Sequence, residues 1–338
     1  MFFSLWSLQI ATKDQKLIAK DQPSHQEANK YMTTELLQYI GILIVSLAVL
    51  VKASDFFVEA AEKIGLALGI PPFIIGVTIV AFGTSLPELA SSIAAVNEGM
   101  SDVVIGNVVG SNIANIALVL GLVAIIGKDV KMNDFIMHVD IPLLVISAFL
   151  LWFVVEDGNV SIFDAIVLLA ALVIFLVHSL KGNSDDSIEK TKIGWKTIVL
   201  LLVSAVFIKF GADYTVEGIK GISLSLGIGS AVIAQSLVAL GTSLPEVFVS
   251  FAAAKQGQTD MAIGNVLGSN IFNTYAVTAI PAFIGPLVIP PAVLTFSLPY
   301  MIALTIILGL ICITKTISRW EGLMLMLLYL FFLVKLYT

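Results

Sequence analysis

The sequence predicts an all-α integral membrane protein, with ten transmembrane helices arranged as two inverted five-helix repeats and with helices 2 and 7 broken. Three observations carry that expectation. The chain is 58% hydrophobic and 12% charged with a mean hydropathy of +1.00, whereas about a quarter of a soluble domain is typically charged. Glu88 recurs as Glu246 (246 − 88 = 158), and the same offset carries Gly83-Thr84-Ser85-Leu86-Pro87 onto Gly241-Thr242-Ser243-Leu244-Pro245 without a gap. Apolar stretches of the length that crosses a bilayer, roughly 20 residues, number five in each copy. Because five is odd, the second copy enters the membrane with the opposite orientation.

Residues 1–35 form an N-terminal tail. Met1–Ile10 is apolar but short, and no basic region precedes it as in a signal peptide. Ala11–Lys30 is polar without a periodic apolar stripe, and reads as a flexible or interfacial segment. The first repeat occupies 36–180, with spans near 36–62, 72–97, 102–126, 137–155 and 161–180. A polar linker, 181–195, joins it to the second repeat, 196–338, with spans near 196–218, 230–255, 260–284, 292–314 and 319–337. Pro71-Pro72 and Pro290-Pro291 stand just ahead of spans, where a first-turn proline costs no hydrogen bond.

Lys63, Lys128, Lys131, Lys181, Lys190, Lys192, Lys196, Lys255, Lys315 and Arg319 fall in loops of one parity, and the opposite loops hold mainly Glu98, Asp102, Glu156, Asp157 and Lys220. The positive-inside rule then makes 181–195 cytoplasmic and sets both termini on the non-cytoplasmic side. A formal net charge of −6, with lysines scattered over short loops, argues against a nucleic-acid partner. The single cysteine, Cys312, excludes an intrachain disulfide and reads as a packing residue.

The chemistry concentrates where the offset is strictest. On a helix, residues three and four apart share a face, so Ala81, Thr84, Ser85 and Glu88 form one stripe and Ala239, Thr242, Ser243 and Glu246 its twin. Pro87 and Pro245 lack an N–H and crowd the carbonyl four residues back, at Gly83 and Gly241, which predicts a break there. Oxygens so freed cannot face lipid and must face protein, water or a cation. In the following spans Asn107, Ser111 and Asn115 step along one face, as do Asn265, Ser269 and Asn273, while Gly106/Gly110 and Gly264/Gly268 permit close helix approach. Asn107, Asn112, Asn265 and Asn270 serve this cage or bond neighbouring backbone. Carboxylate, hydroxyl, amide and carbonyl oxygens without His or Cys clusters suit hard cations such as calcium and sodium. Two buried carboxylates repel each other, and a divalent ion neutralises both.

At these residues the chain closely resembles the sodium/calcium exchanger family of the calcium:cation antiporters, whose two repeats carry Gly-Thr-Ser-x-Pro-Glu followed by Gly-Asn-x-x-Gly-Ser-Asn. The resemblance spans 36–337 and implies a secondary active antiporter rather than an enzyme, with no cofactor and with Ca2+ and Na+ as transported ions. It implies that Glu88, Glu246, Thr84 and Thr242 hold calcium. Sodium would draw on both glutamates with Ala81, Ser85, Ser111 and Asn115, mirrored by Ala239, Ser243, Ser269 and Asn273. It further implies exchange of about three Na+ per Ca2+, electrogenic at about 2.3 kcal/mol per charge per 100 mV, and movement of spans 1 and 6 against the other eight. Some relatives, notably potassium-dependent ones, carry an aspartate where this chain has Asn273, so potassium is not expected as a co-substrate. The implied partners are the two ions and the lipid bilayer, with no obligatory protein partner.

Three rivals stay open on the residues alone. A proton could replace sodium at a buried glutamate, potassium could accompany it, and a passive channel could use the same oxygens, although inverted halves suit a moving site better than a fixed pore. An intramembrane hydrolase at Ser85 and Glu88 lacks a repeated His or Lys beside the serine to activate it. Asp55, Glu59, Asp213 and Glu217 are expected near span ends, solvated or paired with Lys52 or Lys209. Trp152, Trp195 and Trp320 are expected as interface anchors.

Overall fold

The computed structural model describes residues 25–127, 130–131, 140–181, 193–225 and 241–336. Its helices are α1 (His25–Ala67), α2 (Pro72–Asn97), α3 (Asp102–Gly127), α4 (Ile141–Val155), α5 (Ile162–Lys181), α6 (Trp195–Ser225), α7 (Leu244–Lys255), α8 (259–282), α9 (Val293–Cys312) and α10 (Arg319–Leu336). Six of these, α1, α2, α3, α5, α6 and α9, are long and apolar enough to cross a membrane. The protein is a mostly helical, multi-pass membrane protein.

Two features differ from the sequence expectation. α1 begins at His25, so the last part of the expected tail is helix; at about 1.5 Å per residue its 43 residues outrun a bilayer core of about 30 Å. Helix 2 is not broken at its proline. It winds through Pro87 without interruption, and carries its irregularity about two to three turns earlier, as a π turn at Gly76–Val80. One proline removes one hydrogen bond, and a wider turn upstream takes up the misfit. In the second copy the break is present: Thr242 and Ser243 lie in a turn and α7 starts at Leu244.

α2, α3, α7 and α8 form the buried centre. Within its apolar window α3 is 78% buried, against 17% for α1 and 22% for α6. α8 crosses α2 at backbone range. A methyl group on Gly264 or Gly268 would collide with the carbonyl oxygens of Phe73 and Val77, which is the role expected of those glycines. The equivalent partner of Gly106 and Gly110 lies outside the described residues. α10 closes on α3 through Gly121 and Gly322, and α9 packs on α4.

α1 and α6 stand apart as a pair. Gly211, Gly218 and Gly221 of α6 meet Leu50, Leu43 and Tyr39 of α1, a descending register that makes the helices antiparallel. Thr215 Oγ1 donates to Ser46 Oγ at 3.0 Å within this seam. Two of the acids on these helices pair as expected, Asp55 with Lys52 at 4.0 Å and Asp213 with Lys209 at 2.5 Å, while Glu59 pairs with Lys63. Trp195 and Trp320 are exposed, and Cys312 is buried.

Two short antiparallel ribbons tie distant parts of the chain. β1 (Val130–Lys131) pairs with β4 (Thr316–Ile317), and β2 (Asn159–Val160) with β3 (Leu287–Val288). Val130 faces Ile317 and Asn159 faces Val288. Shifting each member of the first couple by the repeat offset gives the second couple.

Candidate ion-binding site

The site lies where α2, α3, α7 and α8 meet. Glu88 sits in mid-helix on α2, while Glu246 occupies the first turn of α7, where unpaired N–H groups favour a negative charge. Both side chains are buried, at 1% and 0% exposure, and close enough to interact electrostatically. Ser85 Oγ donates to Glu246 Oε1 at 3.2 Å. Glu88 Oε1 and Oε2, Glu246 Oε2 and Ser243 Oγ are buried without a hydrogen-bond partner.

The threonines are held by a doubled arrangement. Thr84 Oγ1 donates to Asn265 Oδ1 at 3.2 Å, and Thr242 Oγ1 to Asn107 Oδ1 at 3.0 Å. Thr84 and Ser269 hydroxyls lie 3.4 Å apart, and those of Ser111 and Thr242 3.3 Å apart. Each bond maps onto its partner under the 158-residue offset. The Ala81 carbonyl also accepts from Thr84 Oγ1, at 3.3 Å.

Asn115 and Asn273 each open a π turn, Asn115–Val119 and Asn273–Val277, a backbone form common at functional positions. The turn at Asn115 packs on α7 and that at Asn273 on α2. Both side chains are wholly buried, and neither amide has a hydrogen-bond partner.

A buried polar group left unpaired costs roughly 1–3 kcal/mol. Here several such groups share one centre, and the carboxylate oxygens among them are acceptors that no described donor reaches. Carboxylate, hydroxyl and amide oxygens are the ligand types that hard cations take. The described residues contain no group of three His, Cys, Asp or Glu side chains of the kind that holds a transition metal.

Of the residues singled out from sequence, Ala81, Thr84, Ser85, Glu88, Ser111, Asn115, Ser243, Glu246, Ser269 and Asn273 are buried around this centre and Thr242 is half-buried. Ala239 lies outside the described residues. The second stripe is not a helix face, because the turn at Thr242–Ser243 interrupts it. Asn107 and Asn265 bond the site threonines rather than backbone, whereas Asn112 and Asn270 bond each other's backbone. Ser250 was not foreseen. Its Oγ accepts from Asn265 Nδ2 at 2.9 Å, and the offset from Ser92 to Ser250 was the available signal.

A cavity of about 610 Å³ adjoins the centre, lined by Pro87, Ser92, Asn107, Gly241 and Thr242 and by Lys209, Asp213 and Lys220 of α6. It meets Thr242; Thr84, at 2% exposure, is sealed from it.

The fold and this acidic, oxygen-lined centre define a polytopic membrane protein built around a buried cluster of carboxylate, hydroxyl and amide oxygens. A family model described as "Sodium/calcium exchanger protein" matches residues 38–181 and 196–338, and the chain belongs to the sodium/calcium exchanger family. It is 37% identical to the sodium/calcium exchanger MaX1 of Methanosarcina acetivorans, over 88% of this chain and 97% of that protein. It is 34% identical to the uncharacterized membrane protein MJ0091 of Methanocaldococcus jannaschii, over 87% and 96% respectively. A solved structure of the sodium-calcium exchanger NCX_Mj, soaked with zero Na+ and Ca2+, superposes with a TM-score of 0.79 at 33% identity, covering 89% of this chain and 99% of that one.

Proposed function

We propose that this protein is a secondary active antiporter that exchanges Na+ for Ca2+ at the Glu88–Glu246 centre by alternating access. The observation that carries the reading is the pair of buried carboxylates, one from each half of the chain, with oxygens that no donor satisfies. Glu88, Glu246, Thr84 and Thr242 hold Ca2+. Sodium ions take the same glutamates with Ser85, Ser111, Asn115 and the Ala81 carbonyl, and with Ser243, Ser269, Asn273 and Ala239 in the mirror half. Occupancy by one cation excludes the other, and that competition is the coupling. About three Na+ move per Ca2+, so one net charge crosses in each cycle and the membrane potential acts on it at about 2.3 kcal/mol per 100 mV.

Ten spans form two inverted repeats of five, 36–180 and 196–338, joined by a cytoplasmic linker, with both termini on the non-cytoplasmic side. Support comes from pairings that survive the 158-residue shift: the two ribbons, the two Thr–Asn bonds and the reciprocal asparagine couple. α1 and α6 slide together against the remainder. Their seam is tight, but α1 packs closely along α7 while α6 touches α2 only sparsely, with the cavity between them. Exchanging those two states would close the present path and open its counterpart.

The test is calcium uptake into proteoliposomes driven by an outward sodium gradient, with potassium and pH varied separately. Uptake that collapses with the sodium gradient and persists without potassium or a pH gradient is expected. Uptake that follows the pH gradient instead would assign proton coupling, and flux indifferent to either countergradient would mark a channel.

A further inference from the structure

Two serines outside the proposed ligand set break the symmetry of the centre. Ser92 on α2 and Ser250 on α7 are repeat equivalents (250 − 92 = 158), each one turn beyond the glutamate of its own copy and on the same helix face. Both are buried. Asn107 and Asn265 are equivalents in the same sense, and each accepts a hydrogen bond from a site threonine. Only one of the two serine–asparagine bonds is made. Asn265 Nδ2 donates to Ser250 Oγ at 2.9 Å, whereas Ser92 Oγ meets no hydrogen-bond partner among the described residues. The carboxylates repeat the split: Ser85 donates to Glu246, while Ser243 Oγ and both Glu88 oxygens are unpartnered.

The missing bond falls where the cavity is. Ser92, Asn107 and Thr242 line it; on the bonded side, Asn265, Ser250 and Thr84 are buried. The helices that face the two sets differ in the same direction. Val216 of α6 lines the cavity and is half-buried, while its equivalent on α1, Val58, is completely buried. Where the neighbouring helix has closed in, serine and asparagine are joined; where the cavity stands open, they are apart. The residue types are identical in the two sets, so conformation alone makes the difference. A buried hydroxyl without a partner is costly, and closure of the cavity would supply the partner that Ser92 lacks.

We propose that Ser92 is a positioning residue for exchange: as the cavity closes, its hydroxyl accepts from Asn107 Nδ2 and steadies the asparagine that holds Thr242. This is the bond that Ser250 and Asn265 make in the present conformation. Neither serine touches an ion; each acts through an asparagine on a threonine. The inference rests on the alternating-access reading above and deepens it. One bond forms as its twin breaks, so the two states carry equal numbers of hydrogen bonds and stay close in free energy. Removing a single hydroxyl therefore tilts the balance. Ser250→Ala weakens the conformation seen here, and Ser92→Ala weakens the one with the cavity closed.

The experiment uses Val216→Cys in a Cys312→Ala background as a reporter, labelled in detergent with a water-soluble maleimide. Its labelling rate follows the fraction of molecules whose cavity is open, because closure buries this position as Val58 is buried now. Ser250→Ala is expected to slow labelling about threefold, and adding Ser92→Ala is expected to return the rate to that of the parent. A rate unchanged by Ser250→Ala, or a double variant that labels no faster than Ser250→Ala alone, overturns the proposal. Lost packing could not produce the recovery, since independent destabilisations add rather than cancel. Sodium-driven calcium uptake by the wild type is measured alongside. Its absence would refute the exchange reading, and the labelling rates still decide the role of Ser92.

Discussion

Asn112 and Asn270 exchange hydrogen bonds: Asn112 Nδ2 donates to the Asn270 carbonyl at 3.3 Å, and Asn270 Nδ2 to the Asn112 carbonyl at 3.4 Å. The two residues are 158 positions apart, so each stands at the other's position under the sequence offset. Asn112 Nδ2 also reaches Thr274 Oγ1 at 2.9 Å. Replacing either asparagine by alanine is expected to destabilise the protein by about 1–3 kcal/mol through stranded carbonyls. Each bond joins one side chain to the other residue's backbone, so the double replacement is expected to cost about the sum of the singles. Denaturation of the four proteins in detergent provides the check, and no loss of stability in either single variant would contradict the bond pair.

Glu88→Gln and Glu246→Gln are each expected to weaken calcium transport by ~100-fold or more, on the scale of about 3 kcal/mol for breaking a buried charge pairing. Both variants are expected to remain folded, because an amide at either position relieves the repulsion between the carboxylates. Thermal unfolding provides the check: calcium raises the Tm of the wild type by mass action, and each variant loses most of that increase.

Gly264→Ala and Gly268→Ala are expected to lower the Tm, since the added methyl meets the backbone of α2. Gly41→Ala, on α1 with no described atom within 4 Å of the new carbon, is expected to be neutral or to stabilise by up to about 1 kcal/mol through helix propensity. Equal effects at all three positions would remove the argument for close approach between α2 and α8.

Asn273 bears on potassium. Calcium uptake by the wild type is expected to be unchanged when external potassium is removed. Asn273→Asp adds a third acid to the centre, and its uptake is expected to fall in potassium-free medium and to recover in part when potassium is restored. A wild type that requires potassium would reverse the assignment.

The sequence made the site legible wherever the offset alone was sufficient. Thr84 and Thr242, spaced like Asn107 and Asn265, do form equivalent bonds, because a repeat that preserves residue types at fixed spacing preserves their geometry. It failed where neighbours decide backbone form. Pro87 and Pro245 are identical in sequence context, yet α2 runs through one and the chain turns before the other; hydrogen bonds relocated to a π turn at Gly76 leave no mark in composition. The π turns at Asn115 and Asn273 were equally invisible, as was the pairing of Val130 with Ile317. Two-residue strands carry no alternation to read.

Those ribbons have a bearing on biosynthesis. β1 and β2 belong to the half of the chain made first, yet each finds its partner strand in the half made last. A nascent chain ending in the linker would carry both strands into the bilayer unmatched. Its loops would stay unfastened until synthesis reached Leu287–Val288 and then Thr316–Ile317. An isolated first half is therefore an assembly intermediate awaiting its complement, and supplying residues 193–338 as a separate polypeptide should complete it.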